Sequence, residues 1–506
     1  MKQISSIMTA ALLTAVLSFG YTGYAYAQTS RSQRPGLTDE QKFLNAMHRH
    51  ITSDKLFGYV EQLSDSTLQG RLAGTEGMAK AIDIVQGYYE EWGLKPVNKG
   101  SYIQEYPNPT VEVFHGSTME ILFPMQGSKK KETVWVSKTY PWADGWFAGN
   151  MTGNGDVTAE IVYAGFGVTA PELGYDDYKD IDVKGKIVLV EGETPNTSRN
   201  PDTLAMWYNH TLHQTKLNNA AAHGAIGLLY LWVPGPNAPY NENLVYCHVT
   251  RRVVDDIFLG TGKTYKETVN KIYETKTPQS FSTGKKARIK MNSKYYPNAT
   301  GKNLLGVIEG SDPELKNEYI VISAHLDHLG MIPYHIAGAN DNNASTAALL
   351  GVAEALAKSE VKPKRSIVFF SVDGEESGLT GSTYYVNNPI LPKEKVKGII
   401  NLEQMGGGER LSASCAYDHP HLADFTKEAN EKYVHRILYQ GQTKYLTRPR
   451  TDGAVFMKAG YPCIDLRAAG GGYYHHPKDN PESINPETLQ AATEWLYWTA
   501  ILMANE

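Results

Sequence analysis

The chain has 506 residues, of which 41% are apolar and 20% charged, and a formal net charge of −5. That length exceeds one ordinary hydrophobic core, so two domains are expected, and the composition is that of a folded globular protein. The charge balance gives no electrostatic reason to expect nucleic acid or an anionic membrane as partner.

The first residues read as an export signal over 1–27. Lys2 gives a basic start, residues 7–19 are largely apolar, and Ala25-Tyr26-Ala27 offers small residues for cleavage. The apolar run is too short for a comfortable membrane span. A mature protein starting near Gln28, in the periplasm or outside the cell, is the expectation. The three cysteines, Cys247, Cys415 and Cys463, are far apart, lack a Cys-x-x-Cys spacing and read as packing residues.

Residues 38–63 show helical periodicity, with Asp39 and Glu40 suited to a first turn. A Gly-punctuated loop, Gly70-Arg71-Leu72-Ala73-Gly74-Thr75, leads to a second helix over 75–92, stopped by Gly93. Residues 95–150 are mixed and aromatic, and only short strands are expected there. From Val157 the texture changes: strands at 161–164, 186–190 and 227–231 and a helix over 215–223 suggest a compact insert ending near Ser293. After Asn303 the pattern is strand–helix–strand, with strands at 319–322, 366–370 and 398–402 and a helix over 344–358. Near-continuous apolar strands alternating with helices imply an α/β fold with a mixed, largely parallel sheet and helices on both faces. The expected division is 28–156 for the first part of the main domain, 157–293 for a smaller β-rich insert and 294–506 for the part carrying the site.

Such sheets bind ligands beyond the carboxyl ends of their strands. The first of the three late strands runs into His325-Leu326-Asp327-His328, the second into Asp373-Gly374-Glu375-Glu376, and the third into Glu403. Asp341 sits in the Gly338–Asn342 loop before the intervening helix, and His475 follows the glycine run 470–472. Imidazole and carboxylate are the groups zinc takes, and a two-metal site needs a carboxylate to bridge its ions, for which Asp341 is placed. Asp327, two residues beyond His325, is placed to orient that ring. Adjacent Glu375 and Glu376 cannot both point the same way on extended backbone, so one is free to bind metal and the other to accept a proton.

These stretches resemble metallopeptidase family 28, which includes secreted bacterial leucyl aminopeptidases and glutamate carboxypeptidase II. The similarity is carried by His325–Gly330, Gly338–Asn342, Asp373–Leu379, Gly381-Ser382, Asn401–Glu403 and Tyr474–Asp479, with Gly70–Gly77 upstream. It implies the zinc-exopeptidase (phosphorylase/hydrolase-like) fold and two Zn2+ per chain. His325 and Glu403 would complete one zinc and Glu376 and His475 the other, with Asp341 bridging. Glu375 would be the general base and Asp327 the orienter of His325. The insert resembles the protease-associated (PA) domain through 163–168, 184–188 and 220–225.

Two departures stand out. Glu403 occupies the place where the family usually has Asp, and Ala344-Ser345 replaces its usual Ser-Gly. His475 is preferred to His476 because Tyr-His-x-Pro fits the motif. The expected activity is that of an aminopeptidase acting on peptides, with carboxypeptidase or dipeptidase action as the alternative, for which Arg448, Arg450 and Arg467 are candidate carboxylate binders. A non-catalytic binding module and a one-zinc glutaminyl cyclase are the more distant readings. Retention of every ligand type disfavours the first, and His325 with the insert disfavours the second.

Overall fold

The computed structural model describes residues 36–129, 132–443, 450–470 and 472–506. The expected export signal and Arg448 lie outside them. Among the described residues no helix is long and apolar enough to cross a membrane.

Four strands form the middle of a nine-stranded sheet: β1 (Tyr319–His325), β2 (Ser366–Val372), β3 (Val396–Glu403) and β4 (Cys463–Ala469). They lie in the order β2-β1-β3-β4 and all run parallel. The flanks are antiparallel, with Thr300–Ile308 against β2 and Arg410–Ala416 against β4, so the sheet is mixed around a parallel centre. Strand alternation explains the apolar runs, because successive side chains serve opposite faces. Ile320 and Ile322 join one core with helices Asp39–His50, Ser53–Leu63, Ala344–Lys358 and Pro486–Asn505, whereas Val321 joins another with Tyr385 and Phe456. Helices thus cover both faces, and the carboxyl ends of all four strands open on one edge.

The single helical run expected over 38–63 is two helices, Asp39–His50 and Ser53–Leu63. A capping box on Thr38 starts the first, and Ile51 is extended between them. The break lets both helices pack on Ala344–Lys358. The second helix, Glu76–Glu91, ends before Gly93 as expected.

The second sheet has eight strands, in the order 133–139, 118–126, 281–291, 155–163, 187–191, 227–231, 245–249 and 146–148. Strands 155–163, 187–191, 227–231 and 245–249 run parallel and are accompanied by helices such as His213–Ala222 and Arg251–Phe258. Strands 118–126, 133–139 and 146–148 belong to this sheet, so the layer begins well before the boundary expected at 157. Their partners lie more than a hundred residues downstream in two cases, which local periodicity does not reveal: Thr118–Gln126 pairs with Phe281–Met291, and Trp146–Ala148 with Val245–Val249. Where the chain passes between the two sheets, Thr110–Val113 and Ser293–Tyr296 pair antiparallel, so entry and exit are side by side. The three cysteines are buried and free.

Candidate metal centre

The strand ends place their chemistry in one buried cluster. His325 closes β1, Glu403 closes β3, and Glu375 and Glu376 follow β2 in a turn that starts at Asp373. His325 Nε2 lies 3.4 Å from Asp341 Oδ1 and 3.8 Å from Glu403 Oε2. On the other side, His475 Nε2 lies 3.0 Å from Glu376 Oε2 and 3.6 Å from Asp341 Oδ2. Asp341 therefore faces both groups, one oxygen to each. All five side chains are buried.

Local structure explains how a loop holds Asp341 so firmly. Asp479 accepts the backbone N–H of Asn340 and of Asp341, at 2.8 and 3.0 Å, while its own carbonyl accepts from Ala339. Asn342 ties the same loop to β3, donating to Leu402 O and accepting from Gln404 N. Beneath it, fully buried Arg71 donates to the carbonyls of Leu63, Leu326 and Ala337. Burial lowers its pKa to about 10, and Asp327, Asp479, Asp341 and Glu376 oppose that loss of charge, so it stays cationic at neutral pH. The Gly70–Thr75 motif thus supplies a cation under an acidic site.

Asp327 has a different partner set from the one expected. Its carboxylate accepts the backbone N–H of Glu375 and of Glu376, at 3.1 and 3.2 Å, and so fixes the turn that carries both glutamates. His325 Nδ1 faces the backbone carbonyl of Asp327 at 3.1 Å, with the Asp327 carboxylate at 3.7 Å. Orientation of the ring comes from this residue's main chain first. A one-residue loop step after β1 brings the carbonyl under the ring, a detail that residue type does not encode.

His328 is a further member that the motif contained without a role. It is buried, and its Nδ1 lies 2.9 Å from Glu376 Oε1. The two oxygens of Glu376 are thereby divided between His328 and His475. His475 occupies a positive-φ position (54°), its ring stacks on Tyr474 at 3.7 Å, and its Nδ1 lies 2.5 Å from the carbonyl oxygen of Pro234, in the loop that follows strand 227–231 of the second sheet. His476 instead accepts from the backbone N–H of Lys478 and turns its ring toward Phe147.

The residues fit a pair of metal ions. His325, Asp341 and Glu403 form one group whose ligand atoms lie within 4.8 Å of one another, and His328, Asp341 and Glu376 form a second. Asp341 Oδ2 and His475 Nε2 are buried without a hydrogen-bond partner, the state of atoms built to face something else. Nitrogen and oxygen donors of this kind suit zinc.

Charge is crowded here. Burial and then the neighbouring Glu376, Glu403 and Asp452 raise the Glu375 pKa well above the usual carboxylate range, against the pull of His325. Burial likewise pushes Glu403 up to about 8. For Glu376 burial acts upward too, but His475 and His328 together hold it well below its usual value. Burial would lower His475, and Glu376 with Asp341 instead raise it to about 9. Groups forced this far from their ordinary values cluster at functional sites.

Glu375, Glu376 and His475 border a cavity of about 700 Å3. The main domain contributes Leu379, Thr383, Arg450, Lys458 and Tyr474 to its wall, and the insert contributes Tyr208, Gln214 and Trp232–Gly235. Arg450 borders it, whereas Arg467 lies in register with Glu403 on β4 and is not among the lining residues.

Residues 303–499 match the model of Peptidase family M28, and residues 157–257 match that of the PA domain. Over 188 residues the chain is 30% identical to a vacuolar membrane protease of Lodderomyces elongisporus, a stretch covering 37% of this chain and 19% of that protein. The chain thus spans about a fifth of the length of that relative. It is 25% identical over 489 residues to a glutamate carboxypeptidase 2 homolog of Caenorhabditis elegans, covering 81% of this chain and 59% of that one. The fold is similar to that of an aminopeptidase from Aneurinibacillus sp. strain AM-1, with a TM-score of 0.60 at 20% identity over 92% of this chain and 96% of that one. The peptidase match covers the strands that carry the buried cluster and the PA match covers much of the second sheet, so the chain contains a peptidase family M28 region over 303–499 and a PA domain over 157–257.

Proposed function

We propose that the chain is an exported two-zinc exopeptidase that removes residues from the amino end of peptides. The observation that carries this reading is Asp341, one oxygen toward His325 and the other toward His475, with Glu375 beside them at the cavity wall. His325 and Glu403 would hold one ion, Glu376 and His475 the other, and Asp341 both. His328 would orient Glu376 through the oxygen that does not face His475. Two zinc ions supply a lowered water pKa and polarisation of the scissile carbonyl.

The protein's own groups do the rest. Glu375, held by its backbone N–H on Asp327, takes a proton from the attacking water and returns it to the leaving amine. The cavity is walled by the insert on one side, which suits a short segment of peptide. The concentration of carboxylates at its inner end favours a substrate ammonium there.

A carboxypeptidase or dipeptidase reading has one observation in its favour, Arg450 and Lys458 on the cavity wall. Hydrolysis of C-amidated against free dipeptides separates the two, because only carboxylate recognition suffers from amidation. Export rests on the 1–27 pattern and is tested by sequencing the amino end of the mature protein.

Glu375→Gln tests the assignment of the base. The variant should keep its zinc and lose at least 100-fold in kcat, in line with the usual contribution of a positioned acid–base group. Retained turnover would remove Glu375 from the mechanism.

A further inference from the structure

The residues proposed as ligands are steadied, at side chain or main chain, by groups within the main domain in every case but one. His325 leans on the Asp327 carbonyl, Glu403 accepts from Asn401 and Glu376 meets His328, while Asp479 and Asp327 accept the backbone N–H groups of Asp341 and Glu376. His475 is the exception. Its Nδ1 meets the carbonyl oxygen of Pro234, 241 residues earlier in the chain and part of the insert. A carbonyl only accepts, so Nδ1 carries a proton and Nε2 is the nitrogen left to bind a metal in the space between Glu376 and Asp341. That is the tautomer a metal ligand needs.

The loop that supplies this carbonyl is built to hold still. Its first residue, Trp232, accepts at its carbonyl from Nδ1 of His248, a buried histidine on Val245–Val249. The Trp232 ring lies over Gly192, where an added Cβ would stand 2.1 Å from it, so only glycine lets the ring seat. Pro234 and Pro236 flank Gly235 and restrict the turn between them. A Cβ on Gly235 would lie 3.9 Å from the His475 ring, ordinary van der Waals contact, so loop and imidazole abut. The same loop lines the cavity.

We propose that the PA insert is a positioning part of the metal centre: the Pro234 carbonyl sets the tautomer and direction of His475, so metal retention at the Glu376/His475 position depends on the seating of the insert more strongly than retention at the His325/Glu403 position does. This rests on the two-zinc reading above. A wall that merely covered the cavity would influence substrate access alone. A wall that also holds a ligand couples the placement of the insert to the make-up of the site.

The test is zinc release from the full-length, zinc-loaded protein to a colorimetric chelator. His475→Ala first identifies which release phase belongs to its position. Two loop variants follow: deletion of Pro234, Gly235 and Pro236, which removes the carbonyl, and Pro234→Gly with Pro236→Gly, which keeps it but frees the turn. The proposal predicts that the deletion speeds the His475 phase about 10–100-fold, the usual range for losing a partner behind a ligand, and that the double glycine variant speeds it less. The other phase should change less than the His475 phase in both, since His325 and Glu403 do not touch the loop and only Asp341 is shared. Far-ultraviolet circular dichroism checks that each variant is folded. Unchanged release in both variants, or equal acceleration of both phases, overturns the proposal. A wild-type protein that holds fewer than two zincs instead overturns the two-zinc reading itself.

Discussion

Asp341 shows how much work single residues do in this site. Three buried carboxylates, Asp341, Glu376 and Glu403, stand together with half-buried Glu375, which is costly unless cations answer them. Zinc would supply most of that answer, and Arg71 supplies a permanent part from below. Arg71→Met should therefore destabilise the protein by roughly 3 kcal/mol or more, since it orphans several buried carbonyls at about 1–3 kcal/mol each. Urea unfolding of the zinc-loaded protein measures it, and a loss below about 1 kcal/mol would mean that water replaces the guanidinium. At this scale the residue types at the strand ends were readable from sequence, because each strand leads directly into a ligand type. The partners were not. Asp327 holding the glutamate turn through two N–H groups, Asp479 holding the Asp341 loop, and His328 on Glu376 all depend on how loops close in three dimensions.

Elements place these residues through close packing at a few points. Gly381 opens the helix Thr380–Asn387 against the end of β2, where an added Cβ would stand 1.9 Å from the carbonyl oxygen of Asp373. Asp373 begins the turn that carries Glu375 and Glu376. Gly381→Ala should push that turn aside, costing about 1–3 kcal/mol of stability as overpacking does and lowering kcat more than it raises KM. A melting curve with steady-state kinetics checks this, and an unchanged Tm would show that the helix yields instead. The parallel strands β1, β2 and β3 were legible from their apolar runs, and the helices Glu76–Glu91 and Ala344–Lys358 from their periodicity, whereas β4 and the helix Pro486–Asn505 were not read. The outer strands of the second sheet were not, since Thr133–Thr139 is mostly exposed and mixed in character and its neighbour Thr118–Gln126 finds its inner partner at 281–291. Pairing over such a distance leaves no local trace.

At the scale of the whole molecule, the site lies where the two sheets meet, with the main domain giving the proposed ligands and the insert giving a wall and the Pro234 carbonyl. The division into a main domain and an insert was visible as a change of texture near Val157. The depth of the contact between them was not, because His475 and Pro234 are distant in sequence. Removing metal should be felt by the whole structure. The carboxylates would lose their counter-charges, and a ligand present at about 1,000 times its Kd stabilises by about 4 kcal/mol. Chelation is therefore expected to lower Tm by several degrees, with recovery on adding zinc, and a Tm indifferent to chelator would contradict a buried metal pair.

The most direct test of the central claim joins zinc content to end-group preference in one preparation of mature protein. Metal analysis is made alongside hydrolysis of leucyl-glycine and of N-acetyl-leucyl-glycine. The account predicts two zincs per chain and cleavage of the free-amine dipeptide alone. Two zincs with cleavage of the acetylated dipeptide would contradict the amino-end reading in favour of carboxylate recognition. Absence of both zinc and cleavage would contradict the account as a whole.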